Sequence, residues 1–430
     1  MPDRTHAKEI ALHRERCFLC SVVTPDRNII GEDPLEEIAR LVDTAGGEEA
    51  GRMTQRLDRP ASSTYFGRGK LAEVAAAARA AEADTIVVDD DLSPKQLGAV
   101  ENACNRKVID RNEVILDIFQ SNARTHQAKL QVELAQLQYE LPRLARKWTH
   151  LERLGGGIGT RGPGESQIET DRRLLRRKIG ALRRGLDGIE ARKEREVSTR
   201  RAVFSACLVG YTNAGKSSLL NRTTGAGALV RDRLFATLDT LTRRLEFADG
   251  SDMLISDTVG FIRRLPHHLV ASFHATLEEA AKADILLQVT DAASPLALVE
   301  ADAVDATLRE LGMDALPRVH VLNKVDLVPA PGALEALRAR LSPSFAVSAL
   351  TGEGVDELLA HLRERAEAGL RPVRLRFPAS DGRRFALLNE IARVGATEYD
   401  AADAVVTARM DAADLERLKK LPGQMLVEKT

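Results

Sequence analysis

The stretch GYTNAGKSS, residues 210–218, sets two glycines and a lysine–serine pair between the apolar run AVFSACLVG and the helix-like LLNR. This order of strand, glycine-bearing loop and helix fits G-x-x-x-x-G-K-[ST], in which backbone N–H groups wrap phosphate oxygens at a helix N-terminus. Gly210 and Gly215 permit the tight turn, while Tyr211, Thr212, Asn213 and Ala214 lie along the wrapping backbone. Lys216 reaches the outer phosphates, Ser217 ligates magnesium, and Ser218 completes the stretch. Three later stretches keep the order such a site requires. LISDTVG ends a strand-like run at Asp257, placed to hold magnesium through water, and continues through Thr258 and Val259 to Gly260, whose amide can sense a terminal phosphate. VHVLNKVD ends in Asn323, Lys324, Val325 and Asp326. A carboxylate accepts from the paired N1 and N2 donors of guanine, which adenine lacks, so Asp326 selects GTP over ATP. FAVSAL then puts Ser348, Ala349 and Leu350 on a loop, where the amides of Ser348 and Ala349 can meet the guanine carbonyl.

Between the first and second stretches lies FATLDTLTRRL, residues 235–245. A threonine here can complete the magnesium shell only while the terminal phosphate is present, so the loop acts as a sensor. Thr237 is the choice, flanked by Phe235, Ala236, Leu238 and Asp239, with Thr240 and Thr242 as competitors. Lys216, Thr237 and Gly260 are the candidate catalytic groups. Phe261 follows Gly260 where many switch GTPases carry a glutamine that orients the attacking water. A phenyl ring cannot do this, so slow intrinsic turnover is expected, with the missing organisation supplied by a partner, a displaced side chain or a monovalent cation. Asn213 is the candidate for a potassium site, set against the plainer reading of an asparagine bonded to the switch backbone.

These loops need a doubly wound α/β domain to hold them, placed at 202–366. Upstream, RCFLCSVV, TIVVDDDL and KVIDR read as buried strands alternating with helical spacing at 33–45, 69–82 and 93–104, which predicts a small parallel sheet wrapped by helices over 12–112. Residues 113–200 change character. Leu130, Leu134, Leu137, Leu141, Leu144 and Trp148 form one seam in steps of four and three, and Leu175, Ile179, Leu182, Leu186 and Ile189 form a second. Two seams joined by GGGIGTRGPG, residues 155–164, read as an antiparallel helical hairpin with a glycine-rich tip, and Pro142 predicts a break in its first helix. Residues 370–430 read as a small C-terminal α/β domain of strand, helix and paired strands.

The hairpin is basic: Arg172 to Arg201 holds twelve Lys or Arg against four Asp or Glu, and Arg143, Arg146, Lys147, Arg153 and Arg161 extend the face. Glycines let a polyanion backbone approach, and arginine meets phosphates with two parallel bonds. Gly155, Gly156, Gly157, Gly159, Arg161, Gly162, Gly164, Arg172, Arg173, Arg176 and Arg177 are therefore the RNA-binding candidates. The scarcity of aromatics there points to shape and backbone recognition over base stacking.

The whole chain, 430 residues with a net charge of -1, reads as several soluble domains. The N-terminus has no apolar core like a signal peptide's, and no run approaches the roughly 20 apolar residues that span a bilayer. Four cysteines make no disulfide framework, and the CxxC pair Cys17 and Cys20 reads as buried small hydrophobes. A cytoplasmic monomer without stable membrane insertion is expected, a peripheral membrane fraction being a second reading. TYFGRGK, with Lys70, suggests a turn opening a helix more than a second nucleotide site. Asp89 to Asp91 is a strand end where exposed acids are ordinary, and His267, His268 and His274 lack a ligand constellation.

The stretches GGGIGTRGPGESQIETDRR, GYTNAGKSSLLN, FATLD, DTVGFIRRLPHHLVASFHATLEE, NKVD and TYFGRGK together resemble the HflX GTPases, relatives of the Obg-type GTPases of translation, over about 30–365. The resemblance implies an N-terminal α/β domain, a helical hairpin and a G domain, with GTP and GDP as ligands and magnesium on Ser217 and Thr237. It also implies binding to the large ribosomal subunit and its rRNA, hydrolysis stimulated there, and separation of stalled or idle ribosomes under stress. One departure is that the family commonly continues FATLD with Pro-Thr, where this chain has Thr240 and Leu241. Two other functional readings stay open: a regulatory switch acting on a protein partner, and an RNA remodeller with an ATP site in the N-terminal domain.

Overall fold

The computed structural model describes residues 14–25, 33–144, 163–198, 203–225, 234–235, 240–247, 252–264, 279–329, 331–410 and 412–428. The chain divides into two compact units. The first is Met1–Ile189 together with Arg231–Asp239 and Arg264–His274; the second is the remainder, Glu190–Val230, Thr240–Arg263 and Ala275–Thr430.

The first unit is built on four parallel strands in the order β2-β1-β3-β4. β1 (Arg16–Val23), β3 (Thr85–Val88) and β4 (Lys107–Asp110) are the expected apolar runs, buried on both faces as parallel strands under helices must be. β2 (Glu48–Arg56) was not expected: EEAGRMTQR is polar and half-exposed, and pairing with β1 along its length makes it the sheet's edge. Helices α1 (Glu36–Ala45), α2 (Arg68–Ala80) and α3 (Pro94–Cys104) cover the sheet. Each bounds itself locally: Ser93 and Gln96 close a capping box on α3 with Pro94 in its first turn, and Gly46 ends α1 in a left-handed turn at φ 93°. Cys17 and Cys20, three apart on a strand, point to opposite faces and are both buried; burial pushes the Cys17 thiol up to about 11 and that of Cys20 further still. They cannot clasp one metal.

Asp110 caps α4 (Arg111–Asn122) by accepting from the Glu113 amide, and α5 (His126–Glu140) follows behind the cap Thr125. At Pro142 the helix gives way to a 3-10 turn over Leu141–Arg143, since the proline ring cannot continue the ladder. The long α6 (Pro163–Ser198) completes the hairpin. Leu134 and Leu137 pack against Ile179, Leu182 and Leu186, with Leu130, Leu141 and Leu175 at the margins. Lys178 pairs with Glu133 at 2.6 Å while Gly185 lies beside Leu130, so the helices run antiparallel. Trp148, Arg146, Lys147, Arg153 and residues 155–162 lie outside the described residues.

The second unit carries a six-stranded sheet in the order β10-β9-β8-β5-β7-β6. β5 (Ser205–Gly210), β7 (Asp252–Asp257), β8 (Ile285–Asp291), β9 (Arg318–Asn323) and β10 (Ser344–Ala346) are parallel, and β6 (Leu241–Glu246) runs antiparallel to β7. Its helices are α7 (Lys216–Thr224), α8 (Ala297–Glu310), α9 (Pro331–Arg340) and α10 (Val355–Ala368). Next comes β11 (Arg371–Pro378), α11 (Gly382–Ile391), β12 (Arg393–Asp400), β13 (Asp403–Met410), α12 (Ala412–Lys419) and β14 (Leu426–Glu428). These strands form an antiparallel sheet ordered β12-β13-β11-β14, adding a helix and a fourth strand to the expected α/β domain. Its core is Leu375, Phe377, Leu388, Val406 and Met410, and the buried Arg384 donates to the carbonyls of Leu421 to Gln424, tying down the final turn.

Candidate nucleotide-binding site

The phosphate loop is short of room, and glycine is why it closes. Gly210 (φ 151°) lies so near β8 that a Cβ would stand 2.2 Å from the Val289 carbonyl oxygen. Gly215 (φ 93°) would put one 2.2 Å from Asn323 Nδ2, and both backbones lie in the region that side chains resist. Between them Tyr211, Thr212 and Ala214 are buried, while Asn213 stands exposed in the left-handed conformation at φ 62°. Lys216 opens α7 with its ammonium buried, donating to the carbonyls of Gly210 at 3.0 Å and Tyr211 at 2.8 Å. Desolvation pulls its pKa down to about 8, with the nearby Asp257 charge opposing. Thr212 holds a buried hydroxyl with no hydrogen-bond partner among the described residues.

Ser217, the next residue of α7, donates its hydroxyl to Asp257 Oδ2 at the end of β7. A hydroxyl and a carboxylate oxygen set side by side at a phosphate loop suit magnesium, which takes hard oxygen donors and bridges to phosphate. Ser218, half-buried, borders the base cavity. Beyond Asp257 the backbone turns back onto the loop. Thr258 spends its hydroxyl on the Leu208 carbonyl at 2.7 Å, and Val259 is buried, so their side chains are structural. Gly260 packs where a Cβ would be 2.8 Å from Thr212 and 3.1 Å from Lys216 Nζ. Phe261, 1% exposed, is bridged to Tyr211: its amide donates to Gly210 O at 3.0 Å and its carbonyl accepts from the Thr212 amide at 2.8 Å. The Tyr211 hydroxyl accepts from the Arg263 amide, joining loop and strand end once more.

A cavity of about 650 Å³ lies beside the loop, lined by Gly215, Ser218, Asn323, Lys324, Asp326 and Ala349 among others. Asn323 is its brace, with Nδ2 donating to Ala214 O and Oδ1 accepting from the Ala349 amide, both at 2.9 Å. Lys324, left-handed at φ 64°, pairs with Asp291 at 2.6 Å and stretches along the wall; Val325 packs into the apolar core, and Asp326 stands exposed in a 3-10 turn. The guanine-reading loop differs from the expectation. The Ser348 amide donates to Glu353 O and that of Ala349 to Asn323, so both are already engaged inside the loop. Ser348 Oγ also accepts from the Thr351 amide. Sequence reasoning missed Arg222 and Leu327. Leu327 and Leu350, 62% and 79% exposed, edge the cavity with apolar surface, and Arg222 donates to the Leu350 carbonyl at 3.3 Å. Only the apolar residue directly after Asp326 hinted at this.

Other candidates fall elsewhere. Ala236, Thr237, Leu238 and Asp239 lie outside the described residues, as do His267, His268 and His274. Thr242 sits in β6 with its hydroxyl engaged by Ser256 and Glu279, which removes it as a competitor for magnesium. Phe235 belongs to the first unit, 2% exposed with its ring on Phe119. In α6, Arg173, Arg176 and Arg177 are exposed on the side opposite the leucine seam, and Arg172 is half-buried beside Glu169; Gly155, Gly156, Gly157, Gly159, Arg161 and Gly162 are outside the described residues, and Gly164 falls in the first turn of α6. Arg143 leaves the basic face altogether. It stacks over Tyr139 at 3.7 Å and pairs at 3.1 Å with Asp91 and the fully buried Asp110. Nor are all of the acids at 89–91 exposed: Asp89 is buried, and Asp90 accepts from Tyr65. Lys70 pairs with Glu73 in the first turn of α2. Among the described residues no helix is long and apolar enough to cross a membrane.

Family models described as GTP-binding GTPase N-terminal, GTP-binding GTPase middle region and 50S ribosome-binding GTPase match residues 32–120, 122–200 and 205–324. The chain is similar to GTPase HflX of Lacrimispora saccharolytica, 45% identical over 84% of each chain, and to that of Escherichia coli, 42% identical over 90% of this chain and 92% of that one. GTPase HflX of Caldanaerobacter subterraneus is 39% identical over 96% of this chain and 95% of its own. A GTP-binding protein from Sulfolobus solfataricus, solved with GDP, is 26% identical over 81% of this chain and 98% of its own, at a TM-score of 0.41.

Two outcomes follow from the geometry. Asp326→Asn replaces one of the two acceptors for the paired guanine donors by an N–H donor, which suits the xanthine carbonyl, so GTP affinity should fall by about a hundredfold or more while XTP affinity rises; competition of labelled GTP by XTP checks it, and unchanged nucleotide preference would remove Asp326 from the base site. A polyanion beside Lys216 favours its charged form, so binding raises a pKa that starts near 8. Below about pH 8 the lysine is already protonated and nothing is exchanged; from there upward binding takes up a proton, and affinity declines. Calorimetry at pH 8.5 in buffers of different ionisation enthalpy should show net uptake that Lys216→Met abolishes.

Proposed function

This chain belongs to the HflX family of GTPases, and on that premise we propose a switch whose GTP state binds the large ribosomal subunit and remodels or splits ribosomes. It hydrolyses GTP to GDP and phosphate, and its P-loop fold uses magnesium, which when bound neutralises charge on the outer phosphates. What supports the ribosomal reading is the description of the family that matches residues 205–324, together with the arginine face of α6 continuing from the glycine-rich stretch 155–164. Arginines spaced at 173, 176 and 177 share one side of a helix whose other side is committed to α5. Such a face suits the phosphate backbone of folded rRNA.

The chemistry is divided among the residues as follows. Lys216 would hold the outer phosphates, Ser217 and Asp257 would hold magnesium, Gly260 would offer its amide, and Thr237 would join the magnesium ligands when the terminal phosphate is present. Asp326 reads the guanine edge, and Asn323 keeps base and phosphate loops in register. No side chain follows Gly260 to orient water, because Phe261 is buried and its backbone is bridged to Tyr211. Intrinsic turnover is therefore slow and rises when the ribosome supplies the missing order. Asn213, exposed and left-handed at the tip of the phosphate loop, is our candidate for helping to hold potassium.

Co-sedimentation with purified large subunits tests the switch. The chain with a nonhydrolysable GTP analogue should pellet and the chain with GDP should not; deletion of 155–164 should weaken pelleting and leave GTP affinity intact. Equal or absent pelleting in both states would sink the proposal. Turnover measured in potassium should exceed that in sodium, and Asn213→Ala should erase the difference; equal rates for the unaltered chain would dismiss the cation.

A further inference from the structure

Two threonines lie close to Gly260 and use their hydroxyls differently. Thr258, fully buried, gives its hydroxyl to the Leu208 carbonyl at 2.7 Å. Thr212, 6% exposed, has a hydroxyl oxygen closed off from solvent and without a hydrogen-bond partner among the described residues. A hydroxyl in that condition has given up its bonds to water without replacing them, and valine would fill the same space without the loss. A buried polar group left so in a folded protein points to a catalytic or ligand-binding use.

The surroundings of Thr212 indicate which use. Its amide donates to the Phe261 carbonyl at 2.8 Å and the Phe261 amide donates to the Gly210 carbonyl at 3.0 Å, so two backbone bonds lock the loop to the segment after Gly260. A Cβ on Gly260 would stand 2.8 Å from Thr212 Cα, 2.8 Å from its Cγ2 and 3.1 Å from Lys216 Nζ. The threonine side chain, the Gly260 backbone and the Lys216 ammonium therefore meet at one point. The lysine of a P-loop GTPase cradles the β- and γ-phosphates, so this point is the end of the loop that takes the terminal phosphate. Phe261, 1% exposed, brings to that end a ring that neither donates nor accepts.

We propose that Thr212 is a further catalytic residue for GTP hydrolysis, its hydroxyl accepting from the attacking water while donating to an oxygen of the terminal phosphate. A glutamine carboxamide can orient water because it both accepts and donates, and a hydroxyl does both from a single atom. Rotation about χ1 carries that hydroxyl between staggered wells on the same Cβ as the methyl that meets Gly260. In the step itself the water oxygen bonds to the terminal phosphorus. The bond from phosphorus to the bridging oxygen breaks with its electron pair left on GDP, and the water's proton ends on the released phosphate. Thr212 is unchanged by the reaction. The role concerns turnover without a partner, so it stands or falls apart from ribosome binding.

The test uses the full chain with Thr212→Val, which keeps the shape and removes the hydroxyl, and Thr212→Ser, which keeps the hydroxyl. Single-turnover hydrolysis of GTP without ribosomes is measured beside thermal melting and affinities for fluorescent GDP and a fluorescent nonhydrolysable GTP analogue. Thr212→Val should cut the hydrolysis rate about tenfold or more, leave both affinities within about threefold, and melt no lower than the unaltered chain. Thr212→Ser should recover most of the rate. An unchanged rate in Thr212→Val would overturn the proposal, as would an equal loss in Thr212→Ser. Affinities or melting temperature that fall in step with the rate would show a merely structural role and overturn it as well.

Discussion

The carboxamide of Asn323 joins the two loops on which nucleotide recognition depends, giving its N–H to the phosphate loop at Ala214 and its oxygen to the base loop at Ala349. A carboxamide is suited to this because it donates and accepts from adjacent atoms in one plane. The residue is buried at the end of β9, so its position is set by the sheet. The requirement then spreads outward. Gly215 must lack a Cβ because Asn323 Nδ2 occupies that space, and α7 can begin at Lys216 only because Gly215 turns left-handed before it. Lys216 and Ser217 inherit their places from that turn.

Burying an ammonium works against folding unless something answers its charge. In the phosphate loop the answer is partial: two backbone carbonyls and the field of Asp257 leave Lys216 easier to deprotonate than a free lysine. A bound polyphosphate completes it, which is how a site costly to form becomes selective for anions. The first unit handles buried charge the other way. Asp89 and Glu37 are answered within the fold by Arg111 and Arg264, and Asp110 is paired with Arg143. Removing one member of such a set strands the others, so these clusters specify geometry more than they add stability.

How much was legible in the sequence depended on how local each decision was. The phosphate loop, the Asp257 strand end and the Asn323 to Asp326 turn could be read because a strand, a glycine in a positive-φ turn and a helix start lie within ten residues of one another. The leucine seams could be read because a helix presents every third and fourth residue to a neighbour, and Pro142 ended its helix for a reason confined to one ring. β2 could not be read. Its residues EEAGRMTQR have no strand-like alternation, and the strand exists because β1 offers an unpaired edge beside it.

The sequence by itself determined the chemistry: a guanine-selective P-loop site, a parallel sheet before it, an arginine-rich hairpin between, and a water-orienting position filled by phenylalanine. Tertiary structure decided which charges meet. Arg143 reads as part of a basic surface and is instead sealed against Asp110, and Asp89 reads as a solvated acid and is instead a buried hub. It also decided that Phe235 packs on Phe119 and that Arg264 pairs with Asp89. Their partners at 89 and 119 are more than a hundred residues distant in the chain, and no local period of 2 or 3.6 records a contact between such positions.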